Sequence, residues 1–147
     1  MASFLTSNCS PLKGSIKVPG DKSISHRSIM LGSIATGITK VTGFLQGEDS
    51  LATLNSFKEM GVQIERKGSN VIINGVGMYG LKEPSKPLNL GNSGTSIRLM
   101  SGLLSAQSFD SELCGDESLS KRPMARVIDP LRKMGADISG PNSKPPL

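Results

Sequence analysis

Apolar and polar positions along this chain fall into an order of elements that occurs twice. Leu12, Ile16 and Val18, interleaved with Gly14, Ser15 and Lys17, predict a first strand over residues 12–18 that Pro19-Gly20 ends. Residues 23–36 then carry Ile24, Ile29, Leu31 and Ile34 around a helix, with Gly37 as its C-terminal stop. A second strand is expected over 38–45. In the following loop, Gln46-Gly47-Glu48-Asp49, the Asp49 carboxylate can accept the free N–H groups of a helix over 50–60, or sit at the edge of a pocket. Gly61 closes that helix, and residues 62–66 and 70–74 predict a hairpin turning at Lys67-Gly68-Ser69.

Gly75, Gly77, Gly80, Pro84 and Pro87 mark residues 75–87 as a connection. Beyond it the order begins again. Leu88-Asn89-Leu90 reads as a short strand, Gly91 to Gly94 as a glycine turn, 97–104 as helix, 109–114 as strand and 115–120 as polar loop. Pro123 opens a last helix over 124–134. Aligning Gly20 with Gly91 places Ser25 on Ser96 and Arg27 on Arg98. Downstream, Phe57-Lys58-Glu59-Met60-Gly61-Val62-Gln63-Ile64 parallels Leu131-Arg132-Lys133-Met134-Gly135-Ala136-Asp137-Ile138, with the offset larger by three residues. The chain therefore reads as a tandem of one α/β (α+β) supersecondary unit.

The turn that opens the first helix gathers groups suited to anions. Lys22 offers a point charge and Ser23 a hydroxyl. Arg27, one helical turn after Ser23, offers a planar fork for a carboxylate or phosphate. The helix start adds N–H groups with no intrahelical partner. A cap and a solvated arginine are the plainer account of the same residues. The run is no Walker A loop, because five residues separate Gly14 from Gly20 and Asp21 intrudes before Lys22. In the second copy, Gly94 either lets a ligand approach the backbone or supplies positive φ for the turn. Lys121 and Arg122 are expected just before a helix start, where two cations favour an intervening anion.

Composition narrows the partners. The net charge of +5 permits an anionic one, but basic residues are scattered and aromatics are 3%, with no Trp and Tyr79 the single tyrosine, so nucleic acid is not expected. No apolar run approaches the roughly 18 residues of a membrane span, and Met1-Ala2-Ser3-Phe4-Leu5 is too short for a signal-peptide core. Cys9 and Cys114 are too few and too far apart for a disulfide framework or a metal knuckle, and His26 is the single histidine. A reducing cytoplasm, with no metal and no cofactor, is the expectation.

Residues 12–140, nearly the whole chain, resemble the N-terminal part of the 5-enolpyruvylshikimate-3-phosphate synthase family. The likeness is carried by Pro19-Gly20-Asp21-Lys22-Ser23-Ile24-Ser25-His26-Arg27 and Leu90-Gly91-Asn92-Ser93-Gly94-Thr95-Ser96-Ile97-Arg98. It implies transfer of the enolpyruvyl group of phosphoenolpyruvate to the 5-hydroxyl of shikimate 3-phosphate, with release of phosphate, in aromatic amino-acid biosynthesis, and needs no cofactor. Carried over by position, Lys22 would be catalytic and touch both substrates. Ser23 and Arg27 would hold shikimate 3-phosphate, and Asn92, Gly94 and Arg122 would line the phosphoenolpyruvate site, with Arg98 in support. Gly94 would also be where glyphosate is accommodated.

The resemblance further implies two domains, each a pseudo-threefold assembly of βαβαββ units. Residues 1–19 would belong mostly to the partner domain, and 20–147 would supply two of the three units, about 20–80 and 88–140. The third unit and the acid and base groups would lie outside this chain. The 147 residues alone are expected to be inactive or nearly so, as part of a monomeric parent. A UDP-N-acetylglucosamine enolpyruvyl transferase, expected to carry Lys-Asn in place of Lys22-Ser23, and a non-catalytic anion-binding module are the alternatives.

Overall fold

In the computed structural model, which describes residues 3–8 and 10–147, the first ordered element starts where Asp21 accepts the Ile24 N–H at 2.7 Å and caps a helix. The readings that involve Met1, Ala2 and Cys9 lie outside the described residues. The capped helix, α1 (Lys22–Ile34), is followed by β1 (Thr36–Val41), α2 (Glu48–Glu59), β2 (Gln63–Lys67) and β3 (Asn70–Val76). β3 is the central strand of a three-stranded sheet and pairs antiparallel with β1 on one side and β2 on the other. β2 and β3 form the expected hairpin, with Gly68 at φ +59° in its two-residue turn. Val71, Ile73 and Ile64 bury one face of the sheet against Ile29, Met30, Leu54, Phe57 and Met60 of the helical layer.

The second half runs β4 (Leu88–Asn89), α3 (Gly94–Leu104), β5 (Leu113–Cys114), α4 (Glu117–Ser120) and α5 (Ala125–Lys133), then a 3₁₀ turn at Pro141–Ser143. β4 and β5 pair in parallel, as a strand, helix, strand order requires. Leu88, Leu90, Ile97, Met100, Leu113, Met124 and Ile128 pack into the same core cluster as the first half. With aromatics scarce, Leu, Ile, Val and Met carry most of that packing.

Four expectations change. Residues 12–18 form no strand: Leu12 is 91 %, Ile16 90 % and Val18 71 % exposed, and among the described residues no strand pairs with them. α1 ends at Ile34 with Ala35 as its cap, and Gly37, at φ +93°, lies inside β1 instead of stopping the helix. The apolar positions read around that helix do not all turn inward. Ile24 and Leu31 are exposed, whereas Ser25, His26, Ile29, Met30 and Ser33 are buried. The second unit does not continue into a strand after α5. Leu147 instead exchanges backbone hydrogen bonds of 2.8 and 3.0 Å with Leu113, taking the edge of β5 that a neighbouring strand would need.

The two halves are copies with a slip. α1 starts at Lys22 under the Asp21 cap, but α3 starts at Gly94 under Ser93, which accepts the Ser96 N–H. Ser93 aligns with Lys22, so the second helix begins one residue later than the repeat predicts. None of the described helices is long and apolar enough to cross a membrane.

Candidate functional site

Backbone geometry sorts the candidate residues into two clusters and one outlier. The first cluster stands at the start of α1. Lys22 is exposed and forms an ion pair with Asp49 in the first turn of α2. Asp49 is therefore no cap: α2 begins at Glu48, Gly47 occupies the cap position, and Asp49 and Glu48 instead place negative charge where the helix dipole favours it. Ser23 is half-buried.

The second cluster surrounds the start of α3. Arg122 donates from Nη2 to Asn92 Oδ1, and Asn92 Nδ2 donates to Asp116 Oδ2 at 2.9 Å. Arg98 Nη1 donates to the Gly94 carbonyl at 2.8 Å. A Cβ built on Gly94 would lie 2.6 Å from Arg122 Nη1 and 2.7 Å from Arg98 Nη1. Gly94 is the first residue of a regular helix, so the positive-φ account fails for it, and Gly91, at φ +56°, makes the turn. What Gly94 supplies is space between two guanidinium groups.

Lys121 and Arg122 do precede the last helix, which starts at Ala125 under Met124, but a second helix turn stands directly before them. The region read as a polar loop contains α4, capped by Asp116, which accepts the Leu119 N–H at 2.7 Å. Lys121 and Arg122 thus follow the C-terminus of a helix turn, where positive charge is favourable, and Lys121 pairs with Glu117 one turn back. The backbone donor at Leu119 holds the Asp116 carboxyl below its ordinary range, helped by Asn92 and Arg122.

Arg27 is the outlier. It lines a groove with Ile24, Ser28, Leu31 and Gly32 on the outer side of α1. Among the described residues, no ion pair or side-chain hydrogen bond joins it to Lys22, Asn92 or Arg122.

Beneath the two clusters runs a buried polar chain that periodicity did not reveal. His26, one turn below Lys22 on α1, is fully buried and places Nδ1 2.8 Å from Thr53 Oγ1 and 3.3 Å from Ser96 Oγ. Thr53 and Ser96 hydroxyls are 2.6 Å apart, as are those of Ser96 and Ser93. Burial lowers the His26 pKa and Lys22 lowers it further, while Asp49 opposes them, so the imidazole is neutral near pH 7. A spacing signal did exist in the sequence. His26 follows Lys22 by one turn and Thr53 follows Asp49 by one turn, so an ion pair between the upper residues brings the lower ones together.

The chain matches the sequence profile of the family described as EPSP synthase (3-phosphoshikimate 1-carboxyvinyltransferase) over residues 6–147. It is 67% identical over 147 residues to the 3-phosphoshikimate 1-carboxyvinyltransferase of Ruthia magnifica subsp. Calyptogena magnifica, covering 100% of this chain and 34% of that relative. The enzyme of the same name from Streptococcus gordonii is 57% identical over 145 residues, covering 97% of this chain and 34% of the relative. The solved EPSP synthase of Acinetobacter baumannii superposes with a TM-score of 0.86 at 62% identity, over 90% of this chain and 31% of that one. The chain spans about a third of the length of the curated relatives it matches.

Proposed function

Since the chain belongs to the EPSP synthase (3-phosphoshikimate 1-carboxyvinyltransferase) family, we propose that it forms one wall of the substrate site in a longer enolpyruvyl transferase. That enzyme would transfer the enolpyruvyl group of phosphoenolpyruvate to the 5-hydroxyl of shikimate 3-phosphate and release phosphate, in the cytoplasm and as a monomer. The observation that carries this reading is the meeting of Asn92, Arg98 and Arg122 around the open face of Gly94. Two forks and a bare helix start suit a ligand that carries both carboxylate and phosphate.

In this reading Asn92, Gly94 and Arg122 hold phosphoenolpyruvate. Lys22, exposed above His26 and tethered by Asp49, reaches both substrates, and Ser23 and Arg27 engage shikimate 3-phosphate. Arg27 would do so from the outer side of α1, where exposed Ile24 and Leu31 flank its groove. Fixed cations stabilise charge that persists through the reaction, and positioning does the rest. Residues 1–19 then belong mostly to a partner domain, and 20–147 form two units of a three-unit domain.

A steady-state phosphate-release assay with both substrates tests the reading. The complete protein containing this chain turns over only when both are present, and Arg122→Ala raises the KM for phosphoenolpyruvate. Residues 1–147 alone release no phosphate above background. Absence of turnover by the complete protein overturns the assigned reaction, and turnover by the 147 residues overturns the division of labour.

A further inference from the structure

Resting on that reading and deepening it, we infer that His26 is a positioning residue: through Nδ1 it holds the Asn92 to Gly94 turn in register with the Lys22–Asp49 pair. The helices α1 and α3 bring candidate binding groups to their N-terminal ends, and α2 brings Asp49, which pairs with Lys22. Among the described residues, the side-chain hydrogen bonds that join α3 to the other two helices run through one layer: His26, Thr53 and Ser96. From Ser96 the chain passes to Ser93, the cap of α3, which sits between Asn92 and Gly94. On the other side, Thr53 is also within 3.2 Å of the Asp49 carbonyl.

The protons along this chain can be ordered from either end. With Nδ1 bare, Thr53 donates to His26, Ser96 to Thr53 and Ser93 to Ser96. With Nδ1 protonated, His26 donates to Thr53, whose single proton then goes either to Ser96, reversing the rest of the chain, or to the Asp49 carbonyl, with Thr53 accepting from Ser96 as well. Every arrangement needs a polar atom at the Nδ1 position. None gives Nε2 a partner among the described residues, although it is buried. The same three helices contribute Ile29, Met30, Leu54, Phe57, Ile97 and Met100 to the buried core, and an apolar side chain at position 26 would leave no orphaned atom. A buried imidazole kept at that expense is accounted for by the register it sets between the two clusters.

Asparagine and glutamine separate this role from simple filling. The amide end of Asn reaches the place of Nδ1, and that of Gln reaches the place of Nε2. In ¹H–¹⁵N spectra of the 147-residue chain, His26→Gln is expected to shift the amide signals of Ser93, Gly94 and Ser96, and His26→Asn to return them close to their original positions. Equal shifts in the two variants, or none in either, overturn the inference. Should His26→Gln not fold, Thr53→Val, which keeps the imidazole and removes its partner, is expected to move the same signals, and their staying put has the same force. In the complete protein, His26→Gln is expected to lower kcat/KM about tenfold or more, and His26→Asn to recover most of the loss. Unchanged kcat/KM in both variants also overturns the inference. A complete protein inactive even without substitution counts against the proposed reaction, and the spectra still decide the role of His26.

Discussion

The hydroxyl of Thr53 on α2 lies 2.6 Å from that of Ser96 on α3, in a fully buried setting where neither can turn to water. Two copies of the repeat thus meet through their side chains at a polar point inside an apolar cluster. Thr53→Val keeps the shape and leaves Ser96 and His26 short of a partner, so a loss of about 1–3 kcal/mol is expected in urea denaturation. Thr53→Ser keeps the hydroxyl and removes one methyl group, and a loss of about 1 kcal/mol is expected.

Acid sensitivity follows from the same layer. The imidazole of the unfolded chain titrates at its ordinary 6.5, whereas burial and Lys22 depress the folded value. Below 6.5 the unfolded state therefore binds a proton that the folded state refuses, and stability falls as pH falls until the folded imidazole also protonates. Above the ordinary value the contribution is complete and flat. Denaturation midpoints are expected to drop between pH 7.5 and 5, and His26→Gln to remove most of that drop. With a single histidine in the chain, no other side chain ordinarily titrates in this window.

The repeat was legible because its cues are local: glycine turns, Met-Gly helix ends and the hairpin at Gly68 each depend on a few neighbouring residues. The order of elements in the first unit, from α1 to β3, matches its reading, with shifted ends. What failed depended on partners. Residues 12–18 alternate as a strand should, but a strand needs a second strand, and none among the described residues pairs with them. The buried side of α1 is not legible from apolar positions, because it carries Ser25, His26 and Ser33. Asp49 suits a cap by residue type and position, and only the fold shows that Lys22 stands across from it. Asn92, Gly94 and Arg122 do come together, but Arg98 and Asp116 complete that cluster through contacts set by tertiary packing.

At Gly94 binding and stability are expected to part company. The atoms an added Cβ would meet are the far ends of two flexible arginines, so Gly94→Ala folds normally and gains up to about 1 kcal/mol in helix propensity. Displacing Arg122 and Arg98 narrows the notch between them. Calorimetric titration of the complete protein is expected to give weaker phosphoenolpyruvate binding, and inhibition assays to give a loss of glyphosate potency larger than the loss of turnover.

The segment before Pro19 offers a simple enzymatic probe. Lys13 and Lys17 lie in exposed backbone outside any strand or helix, whereas residues from α1 onward are held by the core. Brief trypsin digestion followed by mass spectrometry is expected to show cleavage at these two lysines before any within β2, where Arg66 and Lys67 are held in the ladder with β3.

The single-residue slip between the starts of α1 and α3 bears on how duplicated units diverge. Both copies keep their packed core, yet one presents an ammonium group at its first helical position and the other a bare methylene flanked by guanidinium groups. Moving a cap by one place exchanges the chemistry offered at the mouth of a helix while the apolar interior stays untouched. Twin scaffolds can in this way take on unlike halves of one task without either being rebuilt.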